Sequence, residues 1–370
     1  MRRRLAAVTA GAALAIALPV SAWAEPAEGP SVTPPSNSVP VGTTDLHLVD
    51  EDRIDPWSQH GPRELMVTMF YPAAWPSGEP GGYFTSEESA AYVAMARLDI
   101  PADTFHEVTT QSHRDAPLRF WDGPMPLVVL SPGFSMPRDT LTGLGQELAS
   151  QGYLVAAIGH DHEAAATTFP DGRTSECLAC SADPDGHDVT EVRADDVSFV
   201  LDRLTGRHPA WYGGHLIDED RIAMVGHSIG GASALTAMAR DDRIAAGVNM
   251  DGSLHAPADG GPLPGTDRPF LLIGNPNQEP GGEKATWADF LPGLTGWRAW
   301  LTVDGMTHSS FTDFAPLADD LDIPLQELPG ARCDEITRAY VSAFLAEHLH
   351  GEDRPLLDGP SPEFPEVRFW

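Results

Sequence analysis

Gly226-His227-Ser228-Ile229-Gly230 sets a serine between two glycines, after the apolar run Ile222-Ala223-Met224-Val225 and before a stretch of small residues with helical spacing. A serine on so tight a strand-to-helix turn needs glycine two places to either side, because a Cβ there would strike the neighbouring elements. The turn lifts the hydroxyl above a sheet edge. It also puts it at a helix N-terminus, where N–H groups meet developing negative charge. The implied chemistry is nucleophilic attack on an acyl carbon. The bland alternative is a glycine-rich turn with an inert serine, and in a chain with 35 glycines the five-residue pattern alone is a modest signal.

A serine hydroxyl becomes a nucleophile when a histidine takes its proton and a carboxylate orients that histidine. His255, His308, His348 and His350 follow Ser228. The last two fall on a closing helix and its end, and His255 lies too close to Asp251 to form a separate loop. His308 follows a strand that ends at Val303, in the loop Asp304-Gly305-Met306-Thr307-His308-Ser309-Ser310, and is the expected base. Asp251 ends the run Val248-Asn249-Met250 and precedes a glycine; it is the expected acid, with Glu279 as runner-up and a turn-capping role as the alternative. The negative charge of an acyl intermediate needs two aimed N–H donors. Ile229, next to the serine, supplies one. Phe134, in Ser131-Pro132-Gly133-Phe134-Ser135, supplies the other, since Pro132 has no N–H.

The elements that must hold these residues alternate. Leu65–Tyr71 reads as an antiparallel or edge strand, and Pro126–Leu130 and Tyr153–Ile158 as buried strands. Arg221–Val225, Ile244–Met250, Phe270–Ile273 and Ala299–Val303 complete the strand set. Helical patterns cover Thr140–Gln151, Val189–Leu204, Gly230–Ala239 and Ile336–Leu349. Alternating strands and helices, with strands apolar throughout, predict an α/β fold: a mostly parallel central sheet covered by helices on both faces.

At this point the segments resemble a family. Leu127 to Phe134, the run ELASQGYLVAAIGHDH, the serine turn, Asp251 directly after the following strand, and Gly305-Met306-Thr307-His308-Ser309-Ser310-Phe311 are similar to the platelet-activating-factor acetylhydrolase-like, secreted actinobacterial lipase-esterase branch of the α/β-hydrolases. The resemblance runs from about Arg63 to His350 and implies an α/β-hydrolase fold and ester hydrolysis by Ser228, Asp251 and His308. Pro132 stands where the family usually has histidine, and Ile229 where it often has phenylalanine; both changes reshape the acyl pocket. Calcium occurs in some related secreted esterases, but no ligand set here is persuasive, and no cofactor is expected.

The remaining features bound the setting. Arg2-Arg3-Arg4, an apolar run from Leu5 to Val20 and Ala22-Trp23-Ala24 predict a signal peptide over residues 1–24, with a weak hint of twin-arginine export, and hence a secreted, extracellular protein. Residues 25–42 read as an extended or disordered lead-in, 43–350 as the catalytic domain and 351–370 as a Pro-rich tail over the surface. The formal charge is −31 and falls further once the three arginines are removed, which argues against nucleic acid as a partner. No later stretch is apolar enough to span a bilayer. A monomer acting on a small ester or lipid is expected. Cys177, Cys180 and Cys333 suggest one structural disulfide, local or to Cys333. His160-Asp161-His162-Glu163 offers metal-binding residue types, but at spacings that fit a structural role better. The rival readings are a cutinase-like polyester hydrolase and a non-catalytic binding protein on the same fold.

Overall fold

The computed structural model describes residues 29–120 and 123–370, so the expected signal peptide lies outside the described residues. The strands are β1 (Val41–Ile54), β2 (Pro62–Pro72), β3 (Ser112–Arg114), β4 (Met125–Ser131), β5 (Leu154–His160), β6 (Ala166–Thr168), β7 (Thr174–Glu176), β8 (Ile217–His227), β9 (Ile244–Met250), β10 (Phe270–Gly274), β11 (Arg298–Val303) and β12 (Val367–Phe369). The helices are α1 (Ser86–Ala96), α2 (Thr142–Ser150), α3 (Leu178–Ala182), α4 (Gly186–Thr205), α5 (Ile229–Arg240), α6 (Trp287–Phe290), α7 (Phe314–Asp320) and α8 (Gly330–His350).

Ten strands form one sheet in the order β12-β11-β10-β9-β8-β4-β5-β2-β1-β3, and β6 and β7 pair separately. The run from β5 to β11 is parallel throughout. Successive residues of β4 point to opposite faces: Leu127 and Val129 pack in the cluster under α4 and α5, and Val128 and Leu130 in the cluster under α2 and α8. Both faces are covered, which is why these strands read as unbroken apolar runs. The chain is an α/β-hydrolase in architecture. It runs outward from β4 to β5 and then returns to the other side of β4 as β8. The carboxyl ends of β4 and β8 therefore flank a switch point, the place where such sheets bind ligands.

Some elements differ from expectation. Leu65–Tyr71 is antiparallel but internal, flanked by β1 and β5. β1 is a full strand that the sequence hides, because Asp45, Asp50, Glu51, Asp52 and Arg53 dilute its apolar residues. The helix expected over Thr140–Gln151 opens instead with a 3-10 turn at Arg138–Leu141. Ahead of β1, Val32 is buried beside Phe314 and Leu317, and Arg338 donates to the carbonyls of Thr33 and Pro34 (3.0 and 2.9 Å), so this stretch is strapped to the body. Near the other end, β12 pairs antiparallel with β11.

Candidate active site

Ser228 sits between β8 and α5 at φ 55° and ψ −127°, a conformation that side chains with a Cβ rarely adopt. The two flanking glycines are dictated by backbone. A Cβ on Gly226 would lie 2.1 Å from the carbonyl carbon of Gly230, and one on Gly230 would lie 2.1 Å from the carbonyl oxygen of Ser131. The strain is held by β9, where Ser228 N–H donates to Met250 O at 2.8 Å.

The neighbouring strand end carries Asp251, also at positive φ (60°). Its N–H donates to Ile273 O at 2.8 Å. Its carboxylate accepts from Asn275 N–H (2.7 Å), Asn275 Nδ2 (2.9 Å) and His308 Nδ1 (2.6 Å). Burial pushes the Asp251 pKa up, against the pull of His308 and, more weakly, of Lys284. With Nδ1–H spent on the carboxylate, His308 Nε2 is the acceptor, and it faces Ser228 Oγ at 2.8 Å. The structure thus brings Ser228, His308 and Asp251 into one hydrogen-bonded line. Glu279 points elsewhere and pairs with Arg368 at 2.6 Å. His348 and His350 lie on α8.

His227 is fully buried, and its Nε2–H donates to the main-chain oxygen of His308 at 2.8 Å. Burial, and then the neighbouring His308, hold its pKa down at about 3, so the ring is neutral at ordinary pH. This residue and Asn275 were not singled out from sequence. The only signal was a polar side chain at a strand's carboxyl end.

Ile229 opens α5, so its N–H has no intrahelical acceptor. Phe134 is half-buried on the loop after β4 and borders the same cavity as Ile229. That loop is fastened on both sides of Phe134: Arg193 donates to Pro132 O (2.5 Å) and Ser131 Oγ (3.2 Å), and Ser135 N–H donates to Glu163 O (2.8 Å). Beneath it lies a buried charge network. Arg193 pairs with Glu163 at 2.7 Å, and Arg63 reaches Asp196 at 2.7 Å and Asp55 at 2.8 Å. His160 bridges Ser131 Oγ (2.9 Å) and Asp196 (2.8 Å). Burial alone would raise the Asp196 pKa, but the Arg63 guanidinium and His160 hold it well below the usual carboxylate range. His160 and Glu163 are therefore structural groups. Asp55, Asp161 and His162 approach one another within 4.8 Å, a spacing a cation could use. Asp55 is already paired with Arg63, and Asp161 accepts from His162 N–H and Ser175 Oγ.

A cavity of about 330 Å³ opens on Ser228 and His308. Phe134, Pro184, Val189 and Ile229 form an apolar wall. Ser253, Gln278 and Lys284 form a polar one. His255 also borders it, its ring packed against Gly186. Asp183 and Pro184 on the rim follow α3, which is clipped at its start by the disulfide Cys177–Cys180; Cys333 is buried and free. No helix among the described residues is long and apolar enough to cross a membrane.

The sheet order and the strained serine at its switch point define an α/β-hydrolase. The family model for platelet-activating factor acetylhydrolase, isoform II, matches residues 87–182 and 214–350. The solved structure of a ferulic acid esterase from Streptomyces cinnamoneus is 40% identical, with a TM-score of 0.79 over 92% of this chain and 99% of that one. A probable 1-alkyl-2-acetylglycerophosphocholine esterase of Arthroderma benhamiae is 28% identical over 75% of this chain and 73% of its own. A bis(hydroxyethyl) terephthalate hydrolase of Streptomyces coelicolor is 28% identical over 51% of this chain and 52% of its own. The chain belongs to the platelet-activating factor acetylhydrolase, isoform II, family, and is a carboxylic-ester hydrolase.

Proposed function

We propose that the protein is a secreted serine esterase working through an acyl-enzyme, with Ser228 as nucleophile, His308 as general base and then acid, and Asp251 as the carboxylate that orients His308. The observation that carries this is the unbroken hydrogen-bonded line from Ser228 Oγ through both nitrogens of His308 to Asp251. His308 Nε2 takes the hydroxyl proton as Oγ attacks the ester carbonyl. The N–H groups of Ile229 and Phe134 receive the oxyanion. The tetrahedral intermediate collapses, His308 protonates the departing alcohol, and the acyl group stays on Oγ. Water, deprotonated by His308, then releases the acid. Every proton is carried by the chain's own groups or by water.

Fluorophosphonate labelling tests the reading. Folded wild-type protein takes up the probe at Ser228, and Ser228→Ala neither labels nor turns over an ester while keeping its thermal unfolding temperature. Labelling at another serine overturns it.

Export is part of the proposal. It rests on the residue pattern of positions 1–24 and on the Cys177–Cys180 disulfide, which suits an oxidising compartment. N-terminal sequencing of protein from culture medium is expected to begin at Glu25.

A further inference from the structure

Lys284 is the one lysine in a sequence that otherwise draws its fixed cations from arginine. It borders the cavity over Ser228 and is the only Lys or Arg among the residues that line it. Most described arginines are tied to carboxylates, yet Lys284 makes no ion pair among the described residues and acts on Asp251 only as a weaker, through-space attraction. Its backbone is anchored. Its N–H donates to Asn277 O at 2.9 Å and its carbonyl accepts from Thr286 N–H at 2.7 Å. Thr286 Oγ1 accepts from Leu254 N–H at 2.7 Å, which ties the loop to the segment after β9. The same connection carries Asn275, which grips Asp251. The lysine is thus fixed relative to the reacting groups, although its side chain is exposed at the cavity mouth. The acids of its own loop do not cancel it: Glu279 is drawn away to Arg368, and Glu283 does not line the cavity.

We infer that Lys284 forms an anion-holding subsite, and that the preferred substrates are esters bearing a carboxylate beyond the scissile bond. The apolar wall of Phe134, Pro184, Val189 and Ile229 takes the uncharged body of such an ester, and Lys284, with Gln278 and Ser253 beside it, takes the anionic end. In a protein of charge −31 the surrounding field repels anions, so a local cation is what makes an anionic ester acceptable at this mouth. Asp183 and Asp251 are the acids that line the cavity, so Lys284 is the place in it where an anion meets a fixed positive charge.

This inference rests on the proposed serine mechanism, and matched substrates separate the two. Monomethyl terephthalate and dimethyl terephthalate differ in one carboxylate. Both are assayed at pH 8, where the partly buried His255, its pKa lowered by burial, is neutral. Lys284→Gln is expected to raise KM for the anionic ester about five-fold, the scale of one partly solvated ion pair, with kcat held and the neutral ester within two-fold. Lys284→Arg restores the anionic KM, and added salt raises it in wild type only. Equal loss on charged and neutral esters, or no loss on the charged one, overturns the subsite. Activity surviving in Ser228→Ala would instead sink the mechanism beneath it.

Discussion

His227 Nε2 holds the main-chain oxygen of His308 at 2.8 Å, so the residue preceding the nucleophile fixes the backbone of the base. The two rings lie 4.8 Å apart, centroid to centroid. His227→Ala removes that tether and lets the His308 loop drift from Ser228. Turnover is expected to fall about ten- to hundredfold with KM little changed, the scale of a small misplacement of a reacting group. A KM rise with kcat intact would show that His227 shapes the pocket rather than the base.

The same ring makes a pH prediction. His227 is neutral when folded, with a pKa of about 3, and titrates near 6.5 when unfolded. Its folded pKa is depressed, so the unfolded state binds the extra proton between these values. The stabilising contribution is complete above pH 6.5 and is lost as pH falls toward 3. His348, lowered to about 4 by burial, acts in the same direction. Urea unfolding of wild type from pH 7 to 4 should show falling stability. His227→Gln should give a slope shallower by up to about 1.4 kcal/mol per pH unit. Equal slopes would refute the assignment.

Asp251 and Glu279 were the two candidate acids. Asp251→Asn is expected to cost about 10³–10⁴-fold in kcat, because the amide imposes the wrong tautomer on His308. Glu279→Gln should stay within two-fold, since that carboxylate serves Arg368. Steady-state kinetics on one neutral ester decides the ranking.

Arg193 clamps the oxyanion loop through Pro132 O while pairing with buried Glu163. Arg193→Met strips that carboxylate of its nearer cation, leaving Arg63 at 3.4 Å, and should destabilise the fold by at most about 3–5 kcal/mol. Adding Glu163→Gln should recover part of the stability without recovering kcat. If the double variant regains turnover, the clamp on Phe134 plays no part in the rate.

The Cys177–Cys180 disulfide closes a very short loop at the start of α3, and Asp183 and Pro184 follow directly on the cavity rim. The chain-entropy account gives so small a loop only about 2 kcal/mol. Replacing both cysteines by serine is therefore expected to lower the unfolding temperature slightly and to raise KM more than it lowers kcat. Thermal melts and kinetics on the same sample separate the two effects.

The hydrogen-bonded line of Ser228, Asp251 and His308 was legible because Ser228 and Asp251 directly follow apolar strands, His308 sits in the loop after another, and the serine turn needs its two glycines. The parallel strands were legible because burial on both faces leaves few polar residues in them. β1 was not, since a strand near a sheet edge tolerates Asp and Glu on its open face. His227, Asn275 and Arg193 were not, since each acts on a partner far away in sequence. His255 looked remote from the serine, yet the turn after Asp251 folds it onto the same cavity wall. Cysteine spacing left the pairing open; the fold closes the local pair and buries Cys333 in the core.

β12 lays three residues along β11, and Trp370 Nε1 donates to Thr302 Oγ1 at 2.9 Å. Without that strip, the free N–H and C=O groups of β11 would present a docking rail to the same strand of another molecule. The protein thus shields one flank of its sheet with its own chain. Where an affinity tag is placed then bears on solubility: an extension that peels back residues 367–369 would invite the sheets of two molecules to join.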